Sequence, residues 1–377
     1  RRAAALSALA ISLVGGVNAA ASFAVIPLGA LWLLTRTPGP RRRALMLWWP
    51  AFTLLGTLWW LVPLALMGSY SPPFLDYIES ASVTTFPTTI VDALRGTSNW
   101  VPYVEGGSRA GRDLLTTSFL ALNSAVVLVL GLAGLMLRDH PHRRFLGLGL
   151  LVGLLMVTAG HLGAVQGWFA PALQVQLDGV LSPLRNVHKF DPVLRLPLVI
   201  GLALSIDALV ASGRRGAARA VDARTAHLVR LNTATALAVT VAVVAGAAAP
   251  ALAGRVAPAG AVLEVPGYWT ETAAWLEDQE REQGDATALL VPGSTFARYL
   301  WGDPDDEPMQ WLAGTRWAVR NVVPLVPPGN IRMLDGIEAR LAQGHGSPGL
   351  AASLRRAGLR YVVVRGDLER TDDAPDP

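Results

Sequence analysis

The chain has 377 residues, 52% of them apolar and 16% charged, with a mean hydropathy of +0.38, whereas soluble domains carry roughly 25% charge. The charge is lopsided: residues 1–253 hold 20 Lys/Arg and 10 Asp/Glu, residues 254–377 hold 12 and 18, and the resulting +10 and −6 sum to the net +4. An isoelectric point near 9.8 therefore does not indicate nucleic-acid binding, because the arginines sit in short loops between apolar runs, the usual place of cytoplasmic anchors.

Cysteine is absent, so no disulfide framework exists and the redox compartment is unreadable. Arg1-Arg2, an apolar run and Ala19-Ala20-Ala21-Ser22 have the form of a signal peptide. The run continues to Leu34 and no initiator Met precedes it, which favours a segment from inside a longer protein. A bilayer core of about 30 Å needs about 20 apolar residues in a helix. Stretches 44–67, 116–137, 145–164, 193–211 and 231–253 meet that length, and 3–35 forms one kinked span or two short ones about Gly15-Gly16-Val17-Asn18. Loops 36–43, 138–144 and 212–230 carry 4, 3 and 5 Lys/Arg, against 3 and 2 in the longer segments 68–115 and 165–192. That alternation predicts a cytoplasmic face for the first set and an exterior face for the second.

The long segment 68–115 is rich in aromatics and prolines, which argues against disorder. Asp76, Arg95, Asn99, Trp100 and Tyr103 offer the charges, amides and aromatic faces that suit a sugar, and Glu79 is a candidate base. An amphipathic loop lying on the bilayer would look similar. Segment 165–192 ends in a basic cluster, Arg185, His188 and Lys189, followed by Arg195. Cations on the outer side run against the orienting bias, so they are read as phosphate ligands, with Asp191 as a second candidate carboxylate. Contact with anionic headgroups is the rival reading. Asn18 and His161 are polar residues at membrane depth, with bundle packing the default for His161. No metal site is predicted: His140 and His142 alone make none, and the acidic run 303–308 lacks EF-hand spacing. Phosphate-loop, dinucleotide-fingerprint, esterase-elbow and zinc-protease motifs are also absent.

Residues 254–377 read as a small α/β domain, incomplete at its end. Tyr268–Gln283 is an amphipathic helix with Trp275 and Leu276 on its apolar face. Ala288–Val291 and Tyr361–Val364 are buried strands of a parallel sheet, and Ser347-Pro348 opens a helix that Gly358 closes.

At GGVNAA (15–20), SPPFLDYIESASVTTFPTTIVDALRGTSNWVPY (71–103), LSPLRNVHKFDPVLRLPL (181–198) and VPGYWTETAAW (265–275) the chain resembles the membrane domain of the actinobacterial α-(1→3)-arabinofuranosyltransferase D family. The resemblance implies an α-helical polytopic membrane protein of the GT-C type whose active site faces the exterior. The implied donor is decaprenyl-phosphoryl arabinofuranose, and the implied acceptor is the arabinan of arabinogalactan or lipoarabinomannan. Transfer would proceed with inversion, with no certain cofactor and an open divalent-cation requirement. The resemblance also implies a principal catalytic carboxylate in a loop upstream of residue 1. A transporter of a lipid-linked sugar and a structural cell-wall assembly module are the alternatives; a transporter should show a polar path through broken helices.

Overall fold

In a computed structural model the described residues are 1–14, 19–67, 79–104, 109–138, 140–256, 264–294, 296–321, 327–344 and 347–370. The chain divides into a helical unit, residues 1–69 with 79–257, and a second unit, residues 70–78 with 258–377.

The helical unit runs α1 (Arg2–Ser12), α2 (Ala19–Thr35), α3 (Pro40–Met67), α4 (Ala81–Thr85), α5 (Ile90–Arg95), α6 (Arg109–Thr116), α7 (Ser118–Met136), α8 (Arg143–Thr158), α9 (Ala170–Asp178), α10 (Asp191–Ala218) and α11 (Ala223–Leu252). Among the described residues four helices are long and apolar enough to cross a bilayer: Pro40–Leu66, Ser118–Met136, Val187–Ala218 and Ala223–Leu252. They contain most of the predicted spans 44–67, 116–137, 193–211 and 231–253. The predicted spans 3–35 and 145–164 take a shorter form. Stretch 3–35 becomes α1 and α2, of 11 and 17 residues, and the break predicted at 15–18 lies outside the described residues. Helix α8 has only 16 residues. It stops early because the chain turns back at Gly160, whose carbonyl accepts from Gln174 Nε2 at 2.9 Å, and His161 Nδ1 lies 3.2 Å from the Thr85 carbonyl.

The apolar side chains of these helices are largely bare, as lipid-facing positions should be: Leu47, Leu54, Leu122, Val129, Leu151 and Val239 are all exposed. Packing between helices uses small residues instead. The central pair is α7 with α10. A Cβ on Gly131 would lie 2.9 Å from the Leu198 carbonyl oxygen, and one on Gly134 or Gly201 would strike the backbone of the other helix. Only glycine permits that approach. Ser205 Oγ donates across the same seam to the Leu130 carbonyl at 2.6 Å.

The second unit contains α12 (Gly267–Gln283), β1 (Ala288–Val291), β2 (Ala297–Tyr299), β3 (Gly302–Asp305), α13 (Met309–Leu312), β4 (Trp317–Val319), α14 (Pro328–Ala342), α15 (Leu350–Arg356) and β5 (Tyr361–Val364). Strands β4-β1-β5 form a parallel sheet in that order, with Ala288 opposite both Trp317 and Tyr361, and β2-β3 form a separate antiparallel ribbon. The two predicted strands and their parallel pairing stand. Two details differ. Trp269, Ala273 and Leu276 form the buried stripe of α12, at i, i+4 and i+7, which leaves Trp275 half exposed with its ring edge on Tyr361 at 5.1 Å. Helix α15 begins at Leu350, not at Pro348, because Ser347–Gly349 forms a turn in which the Leu350 N–H donates to the Ser347 carbonyl. Gly358 closes it in the left-handed region, at φ +80°.

Candidate functional site

The two segments predicted to lie outside meet in the helical unit. Helix α4 is capped by Ser80, and the Ala81 N–H, one of its orphan donors, finds Asp178 Oδ1 at 2.6 Å. Thr84 Oγ1 donates to the Arg185 carbonyl at 2.7 Å, and Gln174 Nε2 donates to Thr85 Oγ1 at 2.6 Å. Thr84 and Thr85 are fully buried, so these bonds fix segment 79–104 to the connection between α9 and α10.

Asn186 is the centre of that junction. Its side-chain oxygen accepts from Trp100 Nε1 at 2.9 Å, and its Nδ2 donates to Glu79 Oε1. Only one orientation of the amide satisfies an indole donor on one side and a carboxylate on the other. Glu79 is half-buried, and its second oxygen accepts no hydrogen bond among the described residues. Asn186 was not singled out in the sequence because it carries no charge. The signal available was its position inside the basic run Arg185–Lys189.

The predicted cations divide by what they touch. Lys189 is half-exposed; its backbone N–H donates to the Asn186 carbonyl at 3.0 Å, and its ammonium group makes no hydrogen bond or ion pair among the described residues. His188 is half-buried in the same 3₁₀ turn, Val187–Phe190, and its Nδ1 has no partner among the described residues. Arg185 is almost wholly buried, 3.7 Å from Asp178 Oδ1. It therefore braces α9 and stands apart from Lys189 and His188.

Arg195 is a correction. Its guanidinium forks onto Asp191 at 2.8 and 3.0 Å and donates to the Leu94 carbonyl at 2.5 Å and to the Ala93 carbonyl. These are the carbonyls that α5 leaves open at its C-terminus, where a cation is also favoured by the helix dipole. Gly96 follows at φ +89°, and a Cβ there would lie 3.5 Å from the Arg195 guanidinium. Arg195 and Asp191, predicted as phosphate ligand and candidate carboxylate, are thus engaged with each other in an internal brace at the end of α5.

The predicted sugar contacts are partly reassigned. Arg95 donates to Ser124 Oγ and to the Leu114 carbonyl, both at 3.3 Å, and lies 4.0 Å from Asp92. It anchors α5 to α7 in place of a ligand. Asn99 Oδ1 accepts from the Val101 N–H at 3.2 Å, forming a local turn. Trp100 is bonded to Asn186 as described. Tyr103 donates to the Thr97 carbonyl at 3.0 Å, and its ring meets Phe86 edge-on at 5.1 Å with much of its surface exposed. Burial, aided by Asp92 and opposed by Arg95, pushes the Tyr103 phenol up to about 12, so it remains a donor. Asp76 and Asn18 lie outside the described residues.

In the second unit, the acidic run 303–308 closes on the protein itself. Glu307 is buried, paired with the fully buried Arg365, and accepts from Tyr299 Oη at 2.5 Å. Asp367 Oδ2 collects three donors, Tyr268 Oη at 2.6 Å, Trp269 Nε1 at 2.9 Å and Trp301 Nε1 at 2.8 Å.

Four bilayer-length helices, with glycine-mediated seams among them, define a polytopic membrane protein. The chain belongs to a particular family of that class. The family described as "Alpha-(1->3)-arabinofuranosyltransferase, N-terminal GT-C domain" matches residues 1–377. The alpha-(1->3)-arabinofuranosyltransferase of Mycolicibacterium smegmatis is 38% identical over 369 residues, and that of Mycobacterium tuberculosis 39% over 371, in each case 98% of this chain and 26% of the relative. The cryo-EM structure of the mycobacterial arabinofuranosyltransferase AftD covers 99% of this chain with a TM-score of 0.72 at 34% identity, and 24% of that structure's chain is matched. The chain thus spans about a quarter of the length of these relatives.

Proposed function

We propose that this chain forms the membrane-embedded donor end of an arabinofuranosyltransferase, acting at the outer face of the plasma membrane. The donor is a polyprenyl-phosphoryl arabinofuranose, decaprenyl-phosphoryl arabinofuranose on the family resemblance. The acceptor is the arabinan of arabinogalactan or lipoarabinomannan. The observation that carries the reading is the junction at Asn186, which sets a carboxylate with one open oxygen, Glu79, close in the fold to an unpaired cation, Lys189.

Transfer with inversion needs one base and one anion site. The acceptor hydroxyl oxygen attacks the anomeric carbon while the bond from that carbon to the phosphate oxygen breaks. The electron pair leaves with the phosphate, and the hydroxyl proton passes to a carboxylate. Lys189, with the His188 ring beside it, would hold the departing phosphate as a point charge. Glu79, steadied by Asn186, serves as acceptor for a sugar hydroxyl and as a secondary base. Trp100 and the exposed Tyr103 ring offer apolar faces for sugar C–H groups. Arg185, Asp191, Arg195 and Arg95 position these groups and do not touch the ligand.

The test is donor use by the full-length protein in native membranes. A hydrogen bond to a charged group is worth about 1.5–3 kcal/mol. Lys189→Gln should therefore lower donor affinity or kcat/KM by roughly ten- to a hundred-fold with normal expression, and Lys189→Arg should be milder. Near-wild-type transfer by Lys189→Gln would remove the phosphate assignment. Loss of transfer that disappears in uncharged lipid would favour simple headgroup anchoring.

A further inference from the structure

Helices α10 and α11 touch along a narrow seam and diverge beside it. At the seam Gly213 is buried against Thr233, where a Cβ would strike the threonine side chain, and a Cβ on Gly216 would come 3.1 Å from Val229 Cγ1. Along one flank lies an open cavity of about 370 Å³, lined by Val210, Arg214 and Ala217 on α10 and by Arg230, Ala234 and Leu237 on α11. Arg214 and Arg230 share that lining with apolar side chains of both helices.

The two arginines are the notable part. Both are exposed, and neither makes a hydrogen bond or ion pair among the described residues. The nearest acidic residues in sequence are Asp207 and Asp222. Asp222 is occupied as the cap of α11, accepting from the Thr225 N–H at 2.7 Å and from Thr225 Oγ1 at 3.1 Å. Two guanidiniums at one cavity repel each other, and at a membrane boundary an anion relieves that repulsion more effectively than screening water. The stretch 212–230, the helix ends and the loop between them, carries five arginines, yet only Arg214 and Arg230 line the cavity. Orientation of the chain in the membrane needs loop charge alone and does not require that convergence.

We propose that this notch is a binding site for an anionic phospholipid, its phosphate held between Arg214 and Arg230 and an acyl chain laid along Val210, Ala217, Ala234 and Leu237. Charge complementarity selects the headgroup. The apolar lining selects a lipid over a free anion, and Leu231, Val239 and Val241 on the same helix α11 are exposed as lipid-facing positions should be. Thr233 Oγ1 already donates to the Val229 carbonyl at 2.8 Å and so retains lone pairs for a headgroup hydroxyl. The site rests only on the chain being membrane-spanning. It is independent of the transfer chemistry at Glu79 and Lys189.

The experiment is native mass spectrometry of the full chain released from nanodiscs of mixed phosphatidylglycerol and phosphatidylcholine. The wild-type protein should retain phosphatidylglycerol selectively. Arg214→Gln with Arg230→Gln should lower its retention by about thirty-fold, the combined effect of two surface cations on an anionic lipid. Arg215→Gln with Arg219→Gln, outside the notch, should leave retention intact. Ala217→Leu, which fills part of the cavity and keeps both charges, should also release the lipid. Equal retention of phosphatidylcholine, equal loss in the off-notch control, or displacement by millimolar inorganic phosphate with no effect of Ala217→Leu would each overturn the assignment.

Discussion

Asn186 shows how much a single neutral side chain decides. It satisfies an indole N–H and a carboxylate at once, so its removal leaves two half-buried polar groups unpaired, and each such group costs about 1–3 kcal/mol. Asn186→Leu should therefore destabilise the helical unit and free Glu79 to rotate, lowering transfer more than Trp100→Phe, which empties only one bond. A chemical-unfolding comparison of the two variants, with transfer measured in parallel, checks the order; equal effects would mean that Asn186 only fills space. Arg195→Gln should behave differently from Lys189→Gln. It exposes the open end of α5 and should lose about 1–3 kcal/mol of stability with little change in donor affinity among the folded molecules. The sequence marked Arg195 and Lys189 as equivalent cations, since charge placed against the orienting bias looks the same in both. What separates them is whether a helix end lies within reach, and that is a tertiary fact. Asn186 was passed over for the converse reason: an uncharged amide gives no sign in one dimension that two distant donors and acceptors will meet on it.

Elements were more legible than sites. Runs of about 20 apolar residues gave the helices α3, α7, α10 and α11 because length and hydropathy are local properties. Strands β1 and β5 were readable as short apolar runs, and Gly358 as the close of α15. The early end of α8 was not readable, because the composition of 145–164 stays apolar while the chain is turned by Gln174 and Thr85 from elsewhere. The α7–α10 seam carries a prediction at this scale. Gly201→Leu must push the helices apart, because even a Cβ there meets the Gly131 backbone; the protein should fail to fold or lose most of its thermal stability. Gly147→Leu, where a Cβ meets nothing within 4 Å, is the control. In the α/β unit the matching test is one of pH. Glu338 accepts from the Gly293 N–H at 2.9 Å, but burial raises its carboxyl above the usual range, with Arg365 and Arg320 opposing. Its folded form therefore holds a proton more tightly than its unfolded form, and stability falls as pH rises through the window between the ordinary and the raised value. Glu338→Gln should abolish that fall. Unfolding of both proteins from about pH 4 to pH 8 should show converging stabilities at the acid end and the variant gaining ground toward neutrality; a constant difference would refute it.

For the whole molecule the deciding quantity is where charge is placed. The loops 36–43, 138–144 and 212–230 hold 12 Lys/Arg between them, against 5 in the two longer intervening segments, and short-loop charge of this kind orients a chain in a membrane. The fold supplies an independent reason to place 79–104 and 165–190 on the same side as each other. These segments bind each other through Ala81–Asp178, Thr84–Arg185 and Trp100–Asn186, so they must emerge on one and the same face. The α9–α10 connection and the α4–α5 segment cannot be separated by a bilayer without breaking those bonds. Reporter fusions after Arg43, Arg144 and Gly216 should therefore register cytoplasm, and fusions after Gly107 and Ala259 the exterior. The two exterior sites carry different weight. A cytoplasmic signal after Gly107 alone would conflict with the bonds that tie the segments together. A cytoplasmic signal after both would leave the fold intact and invert the whole chain, placing Lys189 and Glu79 out of reach of a donor in the outer leaflet and ending the transferase reading at this site.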